Sequence, residues 1–390
     1  MTGRSPLLLV FPSREDGGTE RYIRSLAFAA IRDGREVHAA FPLLESTATL
    51  RAELAGDGVR CHVLPLGMSE PTGTRAALYV AAREGFATTR LLRRVRPGAT
   101  LVVLPHPDQS PGPVLAVAAH RSRSAAIVQM VTVELRITPH RRRLYTLARM
   151  FGQSWIAVSA DNRRKLAQAL RWDESQLTLI YNGVSDELTI PPAGRAEARR
   201  RLRDELQLPM DARLVLSVAR LNYQKAYDVI ADSISDVASS RPDTHWVWVG
   251  DGPERESLNR RLEAAGVRDR VHILGYRADL HYFLAACDVF LFPSRYEGVG
   301  LALLQALLSE LPVVVSDAGP LPEIVTNRVD GLIVPVDDAH ALGAATSWVL
   351  EHDEAAHSMG LAGRQRVLSA FSEEKMLEAT FALLDSANDP

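Results

Sequence analysis

The fold is decided by the stretch Val271–Val334, which contains V-H-I-L-G-Y at 271–276, D-V-F-L-F-P-S at 288–294, E-G-V-G-L at 297–301 and P-V-V-V-S-D at 312–317. Three apolar runs in it, Val271–Leu274, Val289–Phe292 and Val313–Ser316, have strand length, do not alternate and end in turn residues. Such runs are typical of parallel strands buried on both faces. Between the second and third run, L-A-L-L-Q-A-L-L at 301–308 predicts a helix.

Two glycines and a carboxylate precede this predicted helix. Glycine lets the backbone approach a ligand closely, and the first N–H groups of a helix have no partner inside it, so an anion is favoured there. The backbone groups that would face the anion belong to Gly298, Val299, Gly300 and Leu301. Glu297 stands directly before the turn. Gln305 is the polar residue inside the helix, and it needs a hydrogen-bond partner if it is buried.

This stretch resembles the donor-binding half of retaining glycosyltransferases of the two-Rossmann-domain (GT-B) type, glycosyltransferase family 4, which includes sucrose-phosphate synthase and bacterial mannosyltransferases. The family carries two glutamates here, separated by seven residues, whereas this sequence has Glu297 and Gln305. The resemblance implies that Glu297 is catalytic and holds hydroxyls of the transferred sugar, and that Gln305 binds the ribose of the nucleotide. The amide at the second position raises the question of whether it lowers activity.

A second motif, A-R-L-N-Y-Q-K-A-Y-D at 219–228, follows the predicted strand Leu214–Val218. By the resemblance, Arg220 and Lys225 are catalytic residues that hold the donor diphosphate. Lys225 has independent support, because the chain has 42 arginines and three lysines, and a lysine offers the compact charge that suits phosphate. A cation at a helix start also opposes the helix dipole unless an anion lies beside it. We expect Asp228 to cap the helix that follows.

Two further loops of the second half match the family's substrate-binding positions. Gly250 opens G-D-G-P-E after the predicted strand Thr244–Val249. Tyr276 and Arg277 follow the strand at 271–274. The resemblance implies that Gly250 belongs to the donor site and that Tyr276 and Arg277 lie in the neighbourhood of the nucleotide base.

The first half also begins with a strand, a glycine loop and a helix. Leu7–Phe11 is the predicted strand, and Gly17 and Gly18 follow it in S-R-E-D-G-G-T-E-R-Y. A pair of glycines is also what a tight turn requires, so the pair alone leaves both interpretations open. The resemblance implies that Gly17 and Gly18 are substrate-binding residues close to the donor phosphates and the acceptor.

His106 follows the predicted strand Leu101–Leu104, at a strand end where open α/β sheets bind ligands. The resemblance implies that His106 is catalytic and lies near the transferred sugar, although a loop histidine is more often structural. Many family members place a second histidine after the next strand, which we predict over Ile127–Val133. This sequence has Thr132 and Glu134 there, so its acceptor side departs from the family pattern.

Strands and helices alternate along the chain, which predicts α/β architecture with parallel sheets. The resemblance implies two Rossmann-like domains that face each other across a deep cleft. We predict an N-terminal acceptor-side domain over 1–184 and a linker over 185–210, which contains I-P-P-A-G. A nucleotide-sugar-binding domain follows over 211–371, and a C-terminal helix over 372–390 crosses back to the first domain.

Composition is that of a globular chain. The 390 residues are 46% hydrophobic and 24% charged, enough for two domains with a core each. The apolar run Leu7–Phe11 is too short for a signal peptide or a membrane span, and no other stretch approaches the required length. Cys61 and Cys287 lack a metal-binding spacing and are typical of reduced core cysteines. We therefore expect a cytoplasmic protein.

Charge is divided unevenly along the chain. Residues 1–180 contain 25 basic and 15 acidic residues, and residues 181–390 contain 20 and 32. The positive half predicts an anionic partner, such as a membrane surface or a phosphorylated acceptor, or else a solvated arginine-rich face. The segment P-H-R-R-R-L-Y-T-L-A-R-M at 139–150 predicts a basic amphipathic helix, suited either to peripheral contact with the inner membrane face or to packing on the core. The basic residues lack interleaved aromatics, so we predict no nucleic-acid partner.

The function that the resemblance implies is transfer of a sugar from a nucleotide-diphosphate sugar, a UDP- or GDP-sugar, to an acceptor hydroxyl with retention of configuration. Such a transfer would serve the synthesis of a cell-envelope glycan, a glycolipid or a secondary-metabolite glycoside. The chain has no D-x-D triplet, so we predict a metal-independent reaction without a cofactor. Two alternatives stay open: a nucleotide-sugar 2-epimerase, and a catalytically inactive nucleotide-sugar-binding protein. A nicotinamide-dependent dehydrogenase is disfavoured, because D-G-G-T-E-R lacks the G-x-G-x-x-G spacing.

Overall fold

The chain divides into two units, each built around its own parallel sheet. The computed structural model describes residues 5–12, 18–67, 74–104, 110–120, 123–128, 137–187 and 189–386. One unit comprises Met1–Asn182 together with Glu373–Pro390, and the other comprises Gly183–Ser372. Every strand pairing within the described residues is parallel, which confirms the predicted α/β class with two Rossmann-like domains.

The sheet of the first unit has seven strands in the order 3-2-1-4-5-6-7. They are β1 (Leu7–Val10), β2 (Val37–Pro42), β3 (Arg60–Leu64), β4 (Ala99–Leu104), β5 (Arg123–Val128), β6 (Ser154–Ala157) and β7 (Thr178–Leu179). The central strands β1 and β4 are buried along their whole length, because helices cover both faces of such a sheet and favour continuous apolar runs.

Among the described residues of the first unit, six α-helices lie between these strands. They are α1 (Gly18–Arg32), α2 (Ala48–Gly56), α3 (Thr74–Val95), α4 (Gly112–Ala118), α5 (Pro139–Met150) and α6 (Ala160–Leu170). On α1, Ile23, Leu26, Ala27 and Ala30 repeat at helical spacing and are fully buried. The short helix α4 packs against both α3 and α5, so these three helices form one layer.

The sheet of the second unit has six strands in the order 3-2-1-4-5-6. They are β8 (Arg213–Val218), β9 (Thr244–Val249), β10 (Val271–Ile273), β11 (Val289–Phe292), β12 (Val313–Ser316) and β13 (Leu332–Val334). Trp246 and Trp248 of β9 are fully buried in its core, together with Tyr227. This strand order is that of a dinucleotide-binding sheet.

Eight helices cover this second sheet. They are α7 (Pro192–Glu205), α8 (Tyr227–Ser240), α9 (Arg255–Ala264), α10 (Leu280–Ala286), α11 (Leu301–Leu308), α12 (Leu321–Ile324), α13 (Ala339–Glu351) and α14 (Asp353–Ala370). The helix α11 has the bounds that the sequence predicts. The segment 185–210, which we predict as a linker, includes α7. Arg203 of α7 is buried and donates to Asp288 at 3.2 Å and to the carbonyl of Ala212 at 2.6 Å.

The last helix, α15 (Glu373–Ser386), belongs to the first unit and packs against α1, β4 and β5. The hydroxyls of Tyr22 and Thr380 lie 3.0 Å apart, and both residues are buried. Arg35 donates two hydrogen bonds to the carboxylate of Asp385, at 3.1 and 2.5 Å. Among the described residues, no helix has the length and apolar character of a membrane span.

One strand begins earlier than the sequence predicts. The sequence predicts Ile127–Val133, whereas β5 occupies Arg123–Val128. Its polar start pairs in register with β4, Arg123 opposite Ala99 and Ser124 opposite Thr100. Tertiary pairing of the backbone therefore begins the strand four residues before the apolar run does. Residues 129–136 lie outside the described part of the chain.

Candidate functional site

The strand order of the second unit places two loops side by side. β8 and β11 are neighbours, and the remaining strands continue outward from them in opposite directions. In open parallel sheets, ligands bind beyond the carboxyl ends of the strands at the point where the order reverses. The loop after β8 begins at Ala219 and the loop after β11 begins at Pro293. Their side chains are therefore the first candidates for a site.

Lys225 and Glu297 connect the two loops through an ion pair. The Nζ of Lys225 donates to Oε1 of Glu297, and the same oxygen accepts from Oγ of Ser294 at 2.8 Å. Glu297 is 8% exposed, and the Lys225 ammonium lies 4.9 Å from the centre of the Phe292 ring. One charged and one neutral donor thus hold a buried carboxylate in place.

This pair provides the anion that the position of Lys225 requires. Lys225 ends the short 3₁₀ helix Tyr223–Lys225, two residues before α8 begins. A cation there opposes the helix dipole, and Glu297 offsets it within the unit. Because a lysine ammonium carries three donors, its contact with Glu297 leaves donors for a second anion.

The start of α11 has a backbone conformation that suits glycine. Gly300 is the N-cap of this helix with φ +83° and ψ 62°. A Cβ added to Gly300 would stand 3.1 Å from Cε1 of Phe292. Gly298 and Val299 are buried, and Leu301 opens the helix with an N–H that has no acceptor inside it. A turn of this kind offers backbone donors to an anion.

Two buried oxygens beside the switch point have no hydrogen-bond partner among the described residues. They are Oε1 of Gln305 on α11 and Oδ1 of Asn222 in the loop after β8. Buried acceptors are nearly always paired in folded proteins, so each such oxygen indicates a missing donor. Asn222 is not predicted from the sequence, because an asparagine in a loop is ordinarily a turn residue.

Arg295 fastens the two loops together and is also absent from the predicted site. It donates to both carboxylate oxygens of Asp228, at 3.0 and 2.8 Å, and to Asp337 at 2.6 Å. It also donates to the carbonyl of Tyr223 at 2.7 Å and lies 4.1 Å from the centre of that ring. The only sequence signal is its place between a buried strand and Glu297.

The role predicted for Asp228 is wrong. Ala226 is the N-cap of α8 and offers no side-chain hydrogen bond, whereas Asp228 lies in the first turn of the helix and its carboxylate accepts from Arg295. Burial raises the pKa of Asp228, but the hydrogen bond and charge of Arg295 outweigh it and hold that pKa below its usual range. Gln224 adds two contacts between the loops, since its Nε2 donates to the carbonyl of Tyr296 at 3.0 Å and its carbonyl accepts from the Arg295 N–H at 2.8 Å.

Gly250 lies where two loops touch. Its φ is +140°, its N–H donates to the carbonyl of Gly275 at 2.7 Å, and an added Cβ would stand 1.9 Å from the carbonyl oxygen of Ala219. Tyr276 follows at the edge strand and is 85% exposed. The guanidinium of Arg277 is shared between Glu205 at 2.8 Å and Asp279, at 3.0 and 2.9 Å.

The structure says less about the surroundings of the remaining predicted residues. Arg220 is exposed in the loop after β8. Gly18 is the first residue of α1, whereas Gly17 and His106 lie outside the described residues, as do Thr132 and Glu134. Among the residues that the structure describes, no group of three or more His, Cys, Asp or Glu side chains is arranged to hold a metal ion.

Comparison with known sequences gives a family for the second unit. Residues 198–366 match the family described as glycosyl transferases group 1. The lipopolysaccharide core biosynthesis mannosyltransferase LpsB of Rhizobium meliloti is 29% identical over 216 residues, 54% of this chain. The chain spans between 53% and 64% of the length of three such R. meliloti transferases. The GDP-mannose-dependent alpha-(1-6)-phosphatidylinositol monomannoside mannosyltransferase of Mycolicibacterium smegmatis is 25% identical over 344 residues, 80% of this chain and 87% of that protein.

Comparison with solved structures gives the fold of the whole chain. A glycosyltransferase from Rickettsia africae superposes with a TM-score of 0.84 at 16% identity, over 99% of this chain and 100% of that one. Anabaena HepE in complex with UDP-glucose gives 0.76 at 19% identity, over 98% and 100%. Sucrose-phosphate synthase from Thermosynechococcus elongatus gives 0.72 at 20% identity, over 98% and 99%. These matches confirm the resemblance in its coarser part: residues 198–366 are a glycosyl transferases group 1 domain within a chain of GT-B fold.

Proposed function

We propose that this protein transfers a sugar from a nucleotide-diphosphate sugar to an acceptor hydroxyl. The observation that carries the proposal is the Lys225–Glu297 pair, which joins the two switch-point loops of a glycosyl transferases group 1 domain. A cation, a buried carboxylate and a glycine-opened helix lie together at the position where such sheets bind ligands. The cation and the helix start suit the diphosphate of a nucleotide sugar, and the carboxylate suits the hydroxyls of its sugar.

The diphosphate is the leaving group, and it gains negative charge as the glycosidic bond breaks. Lys225, Arg220 and the backbone N–H groups at the start of α11 are the donors that we assign to it. Donors fixed in advance around a developing charge lower the barrier, because they need no reorganisation during the reaction. Lys225 is held ready by Glu297 and by the Phe292 ring.

Glu297 is assigned to the hydroxyls of the transferred sugar. A carboxylate accepts from two hydroxyls, and its hydrogen bonds are about twice as strong as those of a neutral acceptor. Gln305 is assigned to the ribose, supported by its unpartnered Oε1, and Asn222 offers a second such acceptor. Gly250 and Tyr276 extend the site toward the base, whereas Arg277 would have to share its guanidinium with two carboxylates.

We further propose that the reaction retains anomeric configuration, as in glycosyltransferase family 4, and that it needs no metal ion. The support is the family resemblance together with a sequence that lacks a D-x-D triplet. Lys225 and Arg220 would then supply the positive charge that a metal supplies elsewhere. UDP- and GDP-sugars are the proposed donors, since HepE has been solved with UDP-glucose and the M. smegmatis relative is GDP-mannose-dependent.

The acceptor is proposed to belong to a cell-envelope glycan, a glycolipid or a secondary metabolite. Relatives of each kind are matched, including a diphosphoundecaprenol galactosyltransferase and an alpha-D-kanosaminyltransferase. We place the protein in the cytoplasm, where Cys61 and Cys287 would stay free as they are here, with peripheral contact at the inner membrane face. His106, Gly17 and Gly18 keep their predicted roles toward the acceptor and the transferred sugar.

Two rival functions share this fold. A nucleotide-sugar 2-epimerase would need a His/Glu acid–base set, which the sequence does not offer. A catalytically inactive binding protein is favoured only by Gln305 and by the lack of a second histidine after β5. Turnover separates it from an enzyme, because both would bind the donor.

The test is turnover with product analysis. The full-length protein is incubated with UDP- and GDP-sugars and a panel of hydroxyl acceptors in excess EDTA, and nucleoside diphosphate release is followed. We expect release that depends on an acceptor, and a product whose anomeric proton coupling in NMR matches that of the donor. Binding without release would favour the inactive protein, inverted product would contradict retention, and rescue only by Mn²⁺ or Mg²⁺ would contradict the metal-free mechanism.

A further inference from the structure

The outer face of α3 exposes large apolar side chains that the core of the first unit does not use. Tyr79 is 68% exposed, Phe86 is 73% exposed and Leu78 is 52% exposed. Leu91 and Leu92 of the same helix lie in the core, so α3 already has a buried side. Large exposed apolar groups on one face are typical of a surface that binds a partner.

Exposed arginines lie on the same side of α3 as the exposed aromatic side chains. Tyr79, Phe86, Arg90 and Arg93 are separated by seven, four and three residues, so they share one side of the helix. Arg75, one turn before Tyr79, begins the same stripe, and all five side chains are exposed. The aromatics thus stand between arginines along a single line.

The charged residues exposed on α3 are all positive. Residues 74–96 contain six arginines and one acidic residue, Glu84. Glu84 is 1% exposed and accepts the N–H of Gly67 at 2.7 Å, so it is absent from the outer face. Arg90, Arg93 and Arg96 form no ion pair with any residue in the described ranges. The face is therefore complementary to an extended anionic surface.

The helix α5 adds to this face within the same layer, since α4 packs against both helices. Tyr145 and Ala148 point α5 into the core, as one of the two predictions for this segment requires. Even so, Met150 is 74% exposed and the adjoining Phe151 is 60% exposed, and Arg143 is exposed as well. We call the exposed residues of α3 and α5 together the α3–α5 face.

We propose that the α3–α5 face docks on an anionic lipid bilayer, with its aromatic and methionine side chains in the interface and its arginines on lipid phosphates. An amphipathic helix binds membranes by this combination of buried apolar area and attraction to anionic headgroups. An acidic protein would satisfy the charge alone, but single-signed charge over two helices suits a continuous anionic surface better. The choice of a membrane as the partner rests on the proposed function. The α3–α5 face contains no residue assigned to the donor, so its variants leave the donor site unchanged.

The test is sedimentation of the full-length protein with vesicles of phosphatidylcholine, with and without about a quarter phosphatidylglycerol. We expect binding to the anionic vesicles, and a loss of binding of about tenfold or more in Tyr79→Ser/Phe86→Ser and in Arg90→Gln/Arg93→Gln. Added salt should release the parent only in part, because the apolar contacts are not screened. Phe86→Trp should show a fluorescence blue shift relative to the parent when anionic vesicles are added.

Two matched controls use the second unit. Leu361→Ser/Leu368→Ser removes exposed leucines of α14, and Arg260→Gln/Arg328→Gln removes exposed arginines. Both should bind vesicles like the parent. Equal binding to neutral and anionic vesicles, or equal loss in the controls, would overturn the proposal, and so would a parent dimer that Phe86→Ser converts to monomer. Each variant is also checked for UDP binding by thermal shift, so vesicle binding without UDP binding would reject the proposed function alone.

Discussion

Lys225 and Glu297 neutralise each other at the place assigned to a donor with two phosphates. A bound diphosphate adds negative charge beside a buried carboxylate, and the lysine that pairs with this carboxylate is also assigned to the diphosphate. Opposite charges within contact distance stabilise one another far more in a buried site than in water. The lysine is therefore expected to contribute to binding of the nucleoside diphosphate itself as well as of the complete sugar donor.

We predict that Lys225→Ala and Arg220→Ala each weaken nucleoside diphosphate binding by about 1.5–3 kcal/mol, the usual contribution of a charge-assisted hydrogen bond. Isothermal titration with UDP and GDP measures it. Lys165→Ala is the matched control, because Lys165 pairs with Asp161 at 2.6 Å in the first unit. Unchanged affinity in both site variants would remove these residues from the diphosphate contacts.

Gln305 gives a second prediction at the scale of one residue. An amide bridges two ribose hydroxyls in one orientation and adds no charge near Glu297, where like-charge repulsion would raise the pKa of a carboxylate. Gln305→Glu should therefore bind donor as well as the parent or better. Gln305→Leu has a similar shape and should lose about 1–3 kcal/mol, since the ribose hydroxyls stay unpaired. Leucine binding equal to glutamine would show that this side chain does not touch the ribose.

The loops after β8 and β11 act as one element because Arg295 fastens them. Its partners Asp228 and Asp337 are 67 and 42 residues away in sequence, so no local pattern predicts the contact. Elements with strong local signals were predicted well: α11 has the predicted bounds, and the buried strands fall within one or two residues of theirs. Local sequence patterns do not predict the start of β5, the contacts of Arg295 or the unpartnered oxygen of Asn222, because all three depend on long-range packing.

We predict that Arg295→Gln raises the donor dissociation constant about tenfold through loss of alignment between Lys225 and Glu297, a change of about 1.4 kcal/mol. A structural role alone would lower only thermal stability. The pKa of Asp228 is depressed in the fold, so its stabilising effect is present above the unfolded value near pH 4 and is lost as pH falls through the folded pKa. Parent and variant should therefore converge in stability at low pH, and a constant difference down to about pH 2 would argue against the Asp228 contact.

Gly300 and Gly152 form a matched pair for the start of α11. Both have positive φ, +83° and +85°, but only at Gly300 does an added Cβ meet a neighbour within 4 Å, the Phe292 ring. Each Gly→Ala change should lower unfolding stability by about 1–2 kcal/mol from backbone conformation alone. Gly300→Ala should in addition weaken donor binding, because the turn that offers the N–H groups must shift. Equal donor affinity in the two variants would contradict the role of this turn.

On the scale of the whole molecule, charge divides with the fold. The positive first half contains the α3–α5 face. In the negative second half, the cations assigned to the site are Lys225, which pairs with Glu297, and the exposed Arg220. Because the second half is negative overall, Lys225 and Arg220 are a local positive feature of the loop after β8. A nucleotide sugar is therefore expected to bind through them and to be lost when they are removed, while the two sheets stay folded.

The central claim is that this chain binds a nucleotide-diphosphate sugar, and a thermal-shift screen of UDP-, GDP-, ADP- and dTDP-sugars tests it most directly. A ligand at about 100 times its dissociation constant stabilises the folded state by about 2.7 kcal/mol, which raises Tm by about 5–10 °C for a unit of this size. We predict such a rise with UDP- or GDP-sugars in the presence of EDTA, and little or none in Lys225→Ala. No rise with any of the four classes, or an undiminished rise in Lys225→Ala, would contradict the account.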